Sequence, residues 1–196
     1  MNRSLFIIVF VLFLALPSFA QYPLSLFLEY TTPCIMNYST SGDHLVYYDS
    51  SALGIGAQYN MPVNADLEGS VGVIYYFPRT ISLASSEGIS HSSIKDGSMN
   101  YLPIFGRLKY TFKSESAMRI YIGVDLRYAL LSVSGKYFDG VSADSRLGGG
   151  LFAGVEISKC IGIELGMITQ KGSLVYQDST ADFTELSMYI RSTYSF

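Results

Sequence analysis

Ile120-Tyr121-Ile122-Gly123-Val124-Asp125-Leu126-Arg127-Tyr128-Ala129 changes character at every step. Successive side chains of a strand point to opposite sides. Ile120, Ile122, Val124, Leu126 and Tyr128 therefore share one face, and Tyr121, Gly123, Asp125, Arg127 and Ala129 the other. A helix would scatter these charges around its circumference. Period two instead specifies a strand with one apolar face and one face of glycine and charge. The same alternation runs through Leu53 to Met61, Leu102 to Phe112 and Leu147 to Ile157.

Eight such runs can be drawn, near residues 23–36, 51–61, 66–78, 100–113, 118–134, 147–158, 161–172 and 184–196. Each has at least the roughly 9–11 residues that a tilted strand needs to cross a bilayer. Short connections near 62–65, 114–117 and 159–160 alternate with long ones near 37–50, 79–99, 135–146 and 173–183, rich in Ser, Asp and Gly. Short inner turns alternating with long outer loops predict an all-β fold, an eight-stranded up-and-down antiparallel transmembrane β-barrel with both termini on the periplasmic side. The outward aromatics support this map. Tyr30, Tyr75, Phe77 and Tyr128 gather at the outer interface, and Tyr59, Tyr110, Phe112, Tyr194 and Phe196 at the periplasmic one. A soluble β-sandwich or lipocalin-like barrel shares the alternation, but its charged face would lie outside and its loops need not alternate in length.

The chain has 196 residues, 49% of them hydrophobic and 15% charged. That is apolar for a protein with no later run long enough for a membrane helix, as each apolar stretch after Gln21 is soon cut by Gly, Ser or a charge. Residues 1–20 read as a cleaved secretory signal: Arg3, an apolar run from Leu5 to Leu16, Pro17, then Ser18-Phe19-Ala20 as a small-x-small cleavage site. The run is too short to span a bilayer as a helix. The barrel domain is then 21–196, in the cell outer membrane, with lipid as its surroundings. A net charge of -3 offers no basic footprint for nucleic acid.

The last run, Glu185-Leu186-Ser187-Met188-Tyr189-Ile190-Arg191-Ser192-Thr193-Tyr194-Ser195-Phe196, alternates to the final residue. It resembles the C-terminal targeting strand of bacterial outer-membrane proteins, which ends in an aromatic with another two residues before it. Ser192 departs from the glycine common near that point. The segment Tyr101 to Tyr110 resembles a mid-barrel strand of eight-stranded outer-membrane barrels. As a pattern the whole mature chain is similar to the OmpX/Ail group and to the membrane domain of OmpA. The resemblance implies that the outer-membrane assembly machinery reads Tyr194 and Phe196.

With apolar residues toward lipid, Glu29, Glu68, Arg107, Lys109, Asp125, Arg127, Glu156, Glu164, Glu185 and Arg191 point inward. Eight strands enclose just enough room for side chains, and buried charges must be paired or hydrated. Across the turn near 113–118, Arg107 falls opposite Asp125. Across a three-residue turn at 159–161, Glu156 falls opposite Glu164, with Arg191 on the neighbouring strand at the depth to bridge them. These five residues form an expected lumenal charge network that plugs the barrel. Inward glycines, among them Gly56, Gly72, Gly123 and Gly154, leave room for Phe27, Phe105, Tyr121 and Phe152.

Little else carries chemistry. His44 and His91 stand alone in long loops. His91-Ser92-Ser93 faintly resembles the His-x-Ser arrangement of the outer-membrane lipid A deacylase, but lies in a Ser-rich loop with no orienting acid in view. Cys34 falls near the outer end of the first strand and Cys160 in a periplasmic turn, too far apart for a disulfide. No metal spacing, cofactor loop or catalytic set is present. Three functions remain: a structural or surface-interaction barrel whose loops meet a partner or lipopolysaccharide, a narrow porin-like channel, and, least supported, a lipid hydrolase.

Overall fold

The computed structural model describes residues 24–32, 35–39, 46–49, 51–84, 94–114, 118–135, 141–145, 147–176 and 179–196. Every element in them is a strand: β1 (Leu24–Thr31), β2 (Ile35–Ser39), β3 (Val46–Asp49), β4 (Ala52–Pro62), β5 (Leu67–Tyr76), β6 (Arg79–Ala84), β7 (Ile94–Thr111), β8 (Arg119–Gly135), β9 (Val141–Ser145), β10 (Leu147–Glu156), β11 (Ile161–Tyr176) and β12 (Ser179–Ser195). Antiparallel ladders link β5, β4, β1, β12, β11, β10, β8 and β7 in that order, and β7 pairs back to β5. The sheet is therefore a closed eight-stranded barrel. Closure gives each of the eight strands a neighbour on both sides, which a strand surrounded by lipid requires.

The faces divide as the alternation dictates. Along β8, Ile120, Ile122, Val124, Leu126, Tyr128 and Leu130 are exposed on the outside, while Tyr121, Asp125, Arg127 and Ala129 are buried. From Ile120 to Leu130 is about 33 Å along the strand at roughly 3.3 Å per residue. At a tilt of about 40° that is about 25 Å of apolar belt, the height typical of outer-membrane barrels. T-shaped aromatic pairs mark both borders: Tyr75 with Phe77 at the outer one, Tyr110 with Phe112 and Tyr194 with Phe196 at the inner one. Tyr59, assigned to the inner border, is half-buried.

Above the belt the wall continues as a collar. On β8 the outward residues become Ser132 and Ser134, and on β12 Thr184 and Asp182, all exposed. β2 pairs with upper β12, β3 with β2, β6 with β3 and with upper β7, and β9 with upper β11. Much of what alternation marked as long loops is thus paired strand. Outside lipid a strand needs no apolar face, so the hydrophobic period fades while the hydrogen-bonded ladder persists. The β5–β7 seam is interrupted. The β5–β7 ladder ends at Val73↔Ile104, and pairing resumes at Arg79↔Met99. Pro78 and Pro103 lie in this interval and have no N–H to give a ladder.

The inner turns are set by side chains. Asn64 Oδ1 accepts from the N–H groups of Asp66 and Leu67, both at 2.9 Å. Ser158 Oγ accepts from Cys160 N at 3.3 Å and Ile161 N at 3.2 Å, and Ile157 N donates to Ile161 O. With Ile157 paired to Ile161, the β10–β11 turn is Ser158 to Cys160, one residue earlier than the three-residue turn expected at 159–161.

Candidate functional site

That turn corrects one register. Glu156 stands opposite Gly162, and Glu164 opposite Gly154, so the expected face-to-face pair of Glu156 and Glu164 does not form. The Arg107↔Asp125 register holds. All ten inward charges point into the lumen. Glu29, Arg107, Asp125, Arg127, Glu164, Glu185 and Arg191 are buried, and Glu68, Lys109 and Glu156 are half-buried.

The hub is Glu29, an inward residue outside the expected network of five. Its Oε2 accepts from Arg191 Nε at 2.7 Å and Nη2 at 2.5 Å. Its Oε1 accepts from Arg127 Nη1 at 3.0 Å and from the Tyr76 hydroxyl. Arg191 is its direct neighbour across the closing β1–β12 ladder. Arg127 is four strands away in either direction around the ring, so the Arg127–Glu29 pair crosses the full diameter of the lumen. Both side chains are completely buried. Asp125 Oδ2 accepts from Arg127 Nε at 3.1 Å and Nη2 at 2.9 Å.

A second crossing lies nearer the periplasm. Arg107 Nη2 on β7 reaches Glu164 Oε1 on β11 at 2.6 Å, three strands away. The Tyr189 hydroxyl donates to the same oxygen at 2.7 Å, and Arg107 Nη1 reaches Gln58 Oε1 at 3.5 Å. Below it, at the periplasmic mouth, Lys109 Nζ bridges Glu68 at 2.8 Å and Glu156 at 3.0 Å, and Arg119 pairs with Glu156 at 2.5 Å. So Arg107, Asp125, Glu164 and Arg191 join one buried cluster with Glu29 and Arg127, whereas Glu156 belongs to the mouth. Neutralisation explains why this much charge can be buried: Glu29, Glu68, Asp125, Glu156 and Glu164 each have a guanidinium or ammonium beside them, and Glu185 accepts from Ser187 Oγ at 2.9 Å.

Aromatic rings pack the space between. The Arg107 guanidinium lies 3.7 Å from the centre of the Phe152 ring and that of Arg191 4.1 Å from Phe27, stacking that further stabilises desolvated cations. These rings lie over glycines. A Cβ at Gly123 would meet the tip of Phe152, and one at Gly56 the tip of Phe27. Above the hub a water-sized pocket opens, lined by Thr31, Tyr76, Tyr101, Ile168, Gln170, Glu185 and Ser187.

His44, His91 and Cys34 lie outside the described residues, as does the proposed signal segment. Cys160 is free and exposed in the β10–β11 turn. Among the described residues no group of three or more His, Cys, Asp or Glu is placed to hold a metal, and no helix is long and apolar enough to cross a membrane, which does not bear on crossing by strands.

An apolar belt between two aromatic borders, around a polar salt-linked interior, defines an eight-stranded outer-membrane barrel. Solved structures of that class match the chain along nearly its whole length. The outer membrane protein OprG from Pseudomonas aeruginosa aligns over 89% of this chain and 95% of its own, at 12% identity and a TM-score of 0.61. The outer membrane protein AlkL, determined in DMPC lipid bilayers, aligns over 90% of each chain, at 12% identity and a TM-score of 0.58. No protein-family model and no curated protein sequence matches the chain. The fold is that of the outer-membrane barrels.

Proposed function

We propose that this barrel is sealed to ions and solutes and acts through its outer rim, contacting a surface partner or lipopolysaccharide. The observation that carries this reading is the Arg127–Glu29 pair, fully buried and spanning the diameter of the lumen. Arg107, Asp125, Glu164 and Arg191 complete the plug around it, and Glu156 with Lys109 and Arg119 closes the mouth below. Breaking a buried pair leaves an uncompensated charge, so the plug resists opening. Such a barrel is no enzyme and needs no cofactor. Its C-terminal residues Tyr194 and Phe196 serve as the assembly signal.

The test is conductance of the refolded full chain in a planar bilayer at neutral pH. The expected trace stays at the bilayer baseline; a steady conductance in the wild type overturns the reading. A second reading, a narrow channel, draws on the water-sized pocket above the hub, whose lining includes Thr31, Gln170, Glu185 and Ser187. The same recording separates the two. The hydrolase reading depends on His91, and acyl hydrolysis that is lost in His91→Ala would establish it.

A further inference from the structure

We propose that the pocket above the hub is a seat for one small monovalent cation, stripped of its water. Its polar lining is Thr31, Tyr76, Tyr101, Gln170, Glu185 and Ser187, drawn from β1, β5, β7, β11 and β12. None of the six is more than 4% exposed. Apart from the Gln170 amide nitrogen, every polar side-chain atom among them is oxygen. The direction of their hydrogen bonds decides what the pocket can hold. A hydroxyl has one proton to give and lone pairs with which to accept. All four hydroxyls give theirs to the protein: Thr31 Oγ1 to Ala52 O at 3.4 Å, Tyr76 to Glu29, Tyr101 to Gln170 Oε1 at 3.4 Å, and Ser187 Oγ to Glu185 Oε1 at 2.9 Å. Gln170 Nε2 donates to Lys171 O at 3.2 Å.

What the four hydroxyls keep is acceptor capacity, beside a carboxylate that only accepts. A water molecule brings two protons but also lone pairs that need donors, so it matches this lining poorly. A cation needs acceptors alone, and oxygen is the ligand that hard cations select. Size and charge narrow the choice. The pocket is water-sized, which suits a bare sodium, potassium or ammonium ion. Calcium sites draw on several carboxylates, whereas Glu185 is the single carboxylate in this lining. The seat is also built in advance. Gln170 and Glu185 are directly opposed in the β11–β12 ladder. Gly148 makes room for the Gln170 carbonyl, since a Cβ there would fall 2.4 Å from Oε1. Tyr76 belongs to both seat and hub, so an ion in the seat lies against the hydroxyl that holds Glu29.

The seat depends neither on what the rim contacts nor on whether the lumen conducts, and its test uses neither. The refolded full chain, labelled with 15N and held in lipid nanodiscs, is titrated with sodium, potassium or ammonium chloride. N-methyl-D-glucamine chloride, whose cation is too bulky for a water-sized pocket, keeps the ionic strength constant. For at least one of the three ions, the amide signals of Gln170 and Ser187 shift together and saturate on one binding curve. The order of the three affinities names the ion. Glu185→Gln weakens the binding by about tenfold or more, the scale of losing a charged partner, whereas Glu68→Gln at the periplasmic mouth leaves it unchanged. If Glu185→Gln does not fold, Thr31→Val, which keeps the charge and the shape but removes one oxygen, must weaken binding in the same direction. The absence of a saturable shift with all three ions leaves the pocket to water and overturns the proposal. So does tighter saturation by calcium than by any of the three, or an affinity indifferent to both Glu185→Gln and Thr31→Val.

Discussion

Replacing Glu29 by Gln tests whether the lumen charges hold the barrel together. The carboxylate binds two fully buried guanidiniums and the Tyr76 hydroxyl. Removing one partner of a buried ion pair costs about 3–5 kcal/mol. Arg127 retains Asp125, and Arg191 retains Glu164 as its ladder neighbour, so neither guanidinium is wholly abandoned and the loss should stay within that range. Urea unfolding in detergent or lipid vesicles, read from the mobility difference between unheated and heated protein on a gel, measures it. Lys109→Ala is the internal control. Its ion pairs sit at the mouth with the Lys109 side chain 20% exposed, and its loss should be nearer the ~1 kcal/mol scale of solvent-screened pairs. A Glu29→Gln cost at or below that of Lys109→Ala refutes the view that the diameter-spanning hub is the tighter half of the plug.

Two further predictions concern the membrane frame. Leu151 lies mid-strand on β10 and is exposed on the lipid face between Val124 and Met167; Leu151→Arg should destabilise the barrel by about 2–4 kcal/mol, whereas Ser132→Arg, in the collar, should cost about 1 or less, and equal costs in vesicle-refolding titrations would misplace the belt. Cys160 should be labelled by a membrane-impermeant maleimide only after the outer membrane is permeabilised, in a Cys34→Ser background; labelling in intact cells would invert the orientation.

The belt was legible in the sequence because lipid enforces a strict two-residue period. Ile120 to Leu130 could be assigned a face without knowing any neighbour. The Arg107↔Asp125 register was legible for a related reason, since a short hairpin ties opposed residues to the same face. Two features escaped. The β10–β11 register depended on Ser158 capping the turn with its hydroxyl, a local signal that the alternation does not carry. The hub escaped because hairpin counting pairs only strands adjacent in sequence. Glu29 meets Arg191 through barrel closure and Arg127 across the lumen, and neither meeting leaves a trace in the linear spacing. The same blindness hid the collar, where Ser132, Ser134, Asp182 and Thr184 are strand residues with no apolar partners to reveal them.

That collar changes what binding at the outer rim would involve. From Leu130 to Gly135 the wall extends about 16 Å along the strand beyond the belt, at roughly 3.3 Å per residue. Side-chain rungs reinforce it: Ser98 Oγ lies 2.9 Å from Ser134 Oγ, and Asn100 Nδ2 donates to Ser132 Oγ at 3.4 Å. A free loop of the same length surrenders its conformational freedom when a partner docks, and that loss is subtracted from affinity. Here folding has already fixed the backbone. A partner reaching the collar would meet a surface ordered in advance, so contacts that are individually weak could count almost in full.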